Sequence, residues 1–147
     1  MKKLVISFLM ILSAVVIADA QNSAWERAVK QYLSDFGSHS KETTESFKQM
    51  GINATMTAEY DSAAKDLIME VMFEPQVWSM LDNNALQAGK NGTLQSFQKS
   101  YKTNQDFRNF IVLMKHANAK IRVKYSCRQG GTVKTKDFII YPEEIMK

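Results

Sequence analysis

The chain has 147 residues, with 19 basic against 15 acidic side chains for a net charge of +4, 45% apolar residues and a single cysteine. A lone cysteine, Cys127, excludes an intramolecular disulfide, so the fold rests on packing. The charge excess is too mild to demand a nucleic acid or an anionic membrane as partner.

Lys2 and Lys3 lead into an uncharged apolar run, residues 4–17, followed by Ala18-Asp19-Ala20 and Gln21. Charged, apolar and small-residue parts stand in the order of a secretory signal peptide, and the run is shorter than the roughly 20 residues of a spanning helix. Cleavage after Ala20 is expected, leaving residues 21–147 as one domain with a periplasmic or secreted destination. The short Met-Lys-Lys start suits a bacterium. No cysteine follows the run, which argues against a lipid anchor, and no later stretch approaches membrane-spanning length.

Ser23-Ala24-Trp25-Glu26 has the form of a capping box, and Trp25, Val29, Tyr32, Leu33 and Phe36 recur at helical intervals up to Gly37, a natural stop. A second helix is expected over residues 41–50, with Phe47 and Met50 inward and Gly51 left-handed. The period then becomes two: Ala54, Met56, Ala58 and Tyr60 alternate with Thr55, Thr57 and Glu59. Residues 61–66 turn the chain into a return strand carrying Leu67, Met69, Val71 and Phe73, which Pro75 ends. A short helix carries Val77, Trp78 and Leu81; Gly89 and Gly92 mark a loop; Thr93 caps a helix with Leu94, Phe97 and Tyr101. Residues 103–106 cap the strongest helix, where Phe107, Phe110, Ile111 and Met114 form one stripe. Ala119, Ile121, Val123, Tyr125 and Cys127 then alternate with Lys120, Arg122 and Lys124, Gly130-Gly131 turns the chain, residues 132–141 return, and Pro142 opens a terminal helical turn.

The halves read as an internal repeat, over about residues 23–75 and 93–147. Asn53-Ala54 precedes Tyr60 by the same spacing that separates Asn118-Ala119 from Tyr125, and each hairpin closes on a proline. The expected fold is α+β: a tandem ααββ unit forming a four-stranded antiparallel sheet with helices on one face, Asn53 and Asn118 serving as left-handed caps. The uncovered face is then expected to carry Thr55, Thr57, Glu59, Glu70 and Glu74 against Lys120, Arg122, Lys124 and Lys136. Cross-strand ion pairing accounts for such a face; a docking surface is the functional alternative.

Chemistry-bearing motifs are sparse. Cys127 with His116 is the one pairing open to a small cysteine hydrolase, but Cys127 falls in phase with the core residues of its strand, where a thiol is inert. His39 and His116 lack metal-ligand spacing, residues 61–66 lack an EF-hand pattern, and no phosphate-loop, dinucleotide or serine-hydrolase signature occurs. The basic strand does not read as an RNA-binding sheet, since Tyr125 alternates with its lysines. The expectation is an exported, non-catalytic binding module without cofactor or metal. Its partner is expected to be another exported protein or an envelope component, met through Glu59, Glu70, Lys120, Arg122, Lys124 and Lys136. A purely structural envelope accessory protein is the other reading.

Overall fold

The computed structural model describes residues 14–147; most of the expected signal peptide, residues 1–13, lies outside the described residues. The chain runs α1 (Ala14–Gln49), β1 (Ala54–Asp61), β2 (Asp66–Phe73), α2 (Pro75–Trp78), α3 (Asn83–Thr103), α4 (Gln105–His116), β3 (Lys120–Gln129), β4 (Thr132–Ile140) and α5 (Pro142–Ile145). The strands form one sheet in the order β1-β2-β3-β4. The fold is α+β.

Each hairpin is entered from a helix that ends on a left-handed residue. Gly51 (φ 75°) follows α1: its N–H donates to the Lys48 carbonyl (2.9 Å) and that of Ile52 to Phe47 (2.8 Å), the paired bonds of a Schellman stop. Asn118 (φ 54°) follows α4 with the same pair, Asn118 to Lys115 and Ala119 to Met114, both 3.0 Å. Asn118 therefore takes the expected role. Its counterpart is Gly51, not Asn53, whose side-chain amide donates to the Glu74 carboxylate.

The sheet is mixed, which corrects the antiparallel expectation. β1 with β2 and β3 with β4 are antiparallel hairpins, but β2 and β3 run parallel, Asp66 opposite Lys120 and Phe73 opposite Cys127. Residues 74–119 carry three helices and return the chain to the end of the sheet where β2 began, as a crossover connection does. Side-by-side copies of one unit would instead give β3 the direction of β1. The helical parts also differ, one long helix before the first hairpin and two helices joined at Asn104 before the second.

Three glycines read as stops or loops lie inside helices. α1 continues through Gly37, and α3 through both Gly89 and Gly92. An interior glycine costs about 1 kcal/mol against alanine, a small penalty within helices of 36 and 21 residues. Ser23 consequently stands within α1, and the cap of α3 is Asp82, whose carboxylate accepts from Ala85 N–H at 2.7 Å. Met50, expected inward, is 64% exposed because it lies beyond the last turn of α1.

The helices pack on one face of the sheet. Its strand residues in the core, among them Leu67, Met69, Ile121, Val123, Phe138 and Ile140, all belong to one phase of the pleat. From the helices come Trp25 and Val29 of α1 and Phe110, Ile111 and Met114 of α4. Trp25 meets Tyr60 edge-on at 5.7 Å and donates its indole N–H to the Tyr60 hydroxyl at 2.9 Å, so the polar atoms of both rings are satisfied. Phe110 stacks on Tyr32 at 4.8 Å, joining α4 to α1.

Candidate functional site: the open face of the sheet

The opposite phase of the pleat faces away from the helix layer. The register sets its side chains in rows: Glu59, Ile68, Arg122 and Ile139 in one, Thr57, Glu70, Lys124 and Asp137 in the next, and Thr55, Met72, Ser126 and Thr135 beyond. β3 is thus a basic strand lying between acidic residues on both sides, not the basic half of a divided face.

Asp66 is the hinge of the charge network. It is the first residue of β2 and only 2% exposed. Lys120 Nζ lies 2.7 Å from its Oδ1, and Arg122 Nε donates to its Oδ2 at 2.7 Å. Burial alone would raise this carboxyl; the hydrogen bonds and charges of Lys120 and Arg122 outweigh it and hold the group below the usual aspartate range. Arg122 reaches across to Asp137 on β4 as well, and its two carboxylate partners raise its affinity for its proton. One row further on, Lys124 pairs with Glu70 at 3.4 Å, and Glu70 also accepts the hydroxyl hydrogen of the fully buried Ser126. Lys120 Nζ donates in addition to the Ala64 carbonyl at 3.0 Å, which ties the β1–β2 turn to β3.

Of the residues nominated from sequence, Glu70, Lys120, Arg122 and Lys124 come together in this network. Glu59 lies on the same face, exposed on the edge strand, and has no ion pair among the described residues. Lys136 does not belong to the face. The two-residue turn at Gly130 and Gly131, both with positive φ, pairs Gln129 with Thr132; this places Asp137 opposite Lys124, and Lys136 opposite Tyr125 on the helix side. There Lys136 Nζ sits 5.3 Å over the Trp78 ring and donates to the Leu81 carbonyl. Glu74 likewise leaves the face, since it precedes Pro75 as the N-terminal flank of α2. Sequence reasoning missed Asp66, taken as part of a turn, and Asp137. Counting the return strand by twos from Phe138 and Ile140 would have found Asp137.

Cys127 is fully buried, and His116 is exposed at the end of α4. His116 precedes β3 and Cys127 lies towards its far end; the seven residue steps from Lys120 to Cys127 alone span about 23 Å at roughly 3.3 Å per residue. The two side chains are not a nucleophile and its base. Among the described residues no group of three His, Cys, Asp or Glu side chains is placed to hold a metal ion, and no helix is long and apolar enough to cross a membrane.

On the helix side a cleft of about 340 Å³ opens between α3 and the sheet. Comparison of the chain with protein-family models, with curated proteins and with solved structures finds no match.

Proposed function

We propose that this chain is an exported, non-catalytic binding module of a bacterium that engages another exported protein or an envelope component through the open face of its sheet. One observation carries the reading: among the described residues four strands present a face without helices, on which Asp66, Glu70, Lys120, Arg122, Lys124 and Asp137 are held in cross-strand pairs. Such a face is rigid before it meets a partner, so little side-chain ordering remains to oppose association. Paired charges with half-buried Ile68, Met72 and Ile139 between them give a surface of mixed polarity, the composition of a non-obligate protein interface. Export rests on the charged, apolar and small-residue order of residues 1–20. Cleavage after Ala20 would leave Ser23 near the new start of α1, free to act as its cap.

Thr57 and Thr135 test the face because both are exposed there and neither side chain takes part in an ion pair. The double variant Thr57→Arg/Thr135→Arg is expected to keep the wild-type circular dichroism and melting temperature and to lose at least tenfold in capture of its partner from the envelope or secreted fraction. Gln95→Arg, on exposed α3, is expected to keep it. Capture that survives the double variant and fails in Gln95→Arg overturns the assignment. Mass spectrometry of the exported protein is expected to find Gln21 at its start.

A further inference from the structure

We propose that the cleft between α3 and the sheet is a binding site for a small, uncharged amphipathic molecule, a single short alkyl or aryl chain ending in one hydrogen-bonding group. Its floor is Met56, Met69, Val71 and Val123, and Phe97 of α3 forms one wall. Among the described residues no charged side chain lines it, so an ionised ligand would lose its hydration with no counter-charge to replace it. The Met56 thioether gives the floor an adaptable apolar surface, while the buried Met69 sulfur accepts a weak hydrogen bond from the Tyr32 hydroxyl at 4.0 Å. At about 340 Å³ the space lies at the small end of ligand sites, and it is far too small for a protein segment with its side chains.

The polar end of the ligand is assigned to Tyr125. Its ring is held edge-on by Phe73 at 5.5 Å and by Phe138 at 5.8 Å, which fixes where the hydroxyl points. That hydroxyl has no hydrogen-bond partner among the described residues, although the ring lines an apolar cleft. Burial keeps the phenol protonated, so it is available both to donate and to accept. The mouth is kept open by small residues on α3. Gly92 and Ser96 are exposed there, and a side chain at Gly92 would meet open space. Thr93 turns its hydroxyl back to the Gly89 carbonyl at 2.8 Å, so that hydroxyl is already engaged.

The uncharged fluorophore N-phenyl-1-naphthylamine, whose emission rises in apolar surroundings, tests the site on the whole exported protein. Saturable one-to-one binding is expected, with 1-decanol displacing the probe at least fivefold more effectively than decane. Gly92→Leu fills the mouth and favours the helix, so it is expected to weaken the probe at least tenfold without lowering the melting temperature. Gly37→Leu, on α1, is expected to leave binding unchanged. Tyr125→Phe is expected to bind the probe normally and to lose the preference for the alcohol. Absence of saturable binding, or undiminished binding by Gly92→Leu, overturns the site; an alcohol preference retained by Tyr125→Phe overturns the role of the hydroxyl. None of these results depends on the open sheet face.

Discussion

Gly89 lies flat against the hydroxyl of Tyr125: a methyl group at position 89 would come within 2.8 Å of the phenolic oxygen. This contact explains why α3 tolerates a glycine in its interior. The helix crosses the sheet where Tyr125 stands up from β3, and only a residue without Cβ allows that approach. Because Phe73 and Phe138 flank the Tyr125 ring, the hydroxyl cannot swing aside cheaply.

Gly89→Ala is therefore expected to destabilise the fold by about 1–2 kcal/mol, the overpacking cost exceeding the helix-propensity gain. In a Tyr125→Phe background the nearest ring atoms lie at 3.6 Å, an ordinary contact, and the same substitution should become stabilising. Urea unfolding of the four proteins measures this change of sign. A Gly89→Ala effect that is the same in both backgrounds would refute the contact.

Gly37 presents the opposite case, an interior helix glycine with nothing within 4 Å of a built Cβ. Gly37→Ala should stabilise the protein by about 0.5–1 kcal/mol, since only the helix-propensity term remains. A break in α1 at this glycine would make the substitution neutral or unfavourable, and thermal unfolding distinguishes the two.

Asp66→Asn should cost about 2 kcal/mol at neutral pH. It leaves Lys120 and Arg122 without their shared counter-charge, but both cations are partly solvated, which keeps the loss below that of a fully buried pair. The folded-state pKa of Asp66 lies below its unfolded value of about 3.9. Its contribution is therefore complete above that value and fades as the pH falls below about 4 through the folded pKa. Wild-type stability should drop more steeply than that of Asp66→Asn between about pH 5 and pH 2. Parallel pH profiles would show that the ion pair contributes nothing.

Cys127 should resist Ellman's reagent in the native protein and react fully once guanidinium unfolds it, because its side chain has no solvent-exposed surface. Rapid labelling of the folded protein would contradict this burial. His116→Ala should leave the labelling rate unchanged, since the imidazole and the thiol are far apart along β3.

The strands and the α4 stripe were legible because their periods are strict: Ile121, Val123 and Cys127 bury at every second residue, and Phe110, Ile111 and Met114 on one helical face. Gly51 and Asn118 showed their roles through chemistry that few residues can supply, the left-handed turn. Gly37, Gly89 and Gly92 misled because local propensity disfavours glycine in helices while tertiary packing decides whether a helix continues. The parallel pairing of β2 and β3 was out of reach for a different reason: strand direction depends on how a long helical connection crosses the sheet, which no local pattern encodes. Lys136 carries a charge suited to the open face, but it shares the parity of Phe138 and Ile140, which places it on the core side; the same alternation puts Asp137 on the open face.

Photo-crosslinking in the cells that make the protein tests the proposed role of the open face most directly. p-Benzoylphenylalanine is placed at Thr57 or Thr135 on the open face, and at Gln95 or Lys102 on exposed α3. Binding through the sheet predicts a discrete adduct with the same exported or envelope partner from Thr57 and Thr135 and none from Gln95 and Lys102. Adducts confined to the α3 positions, or none at any of the four, would contradict it.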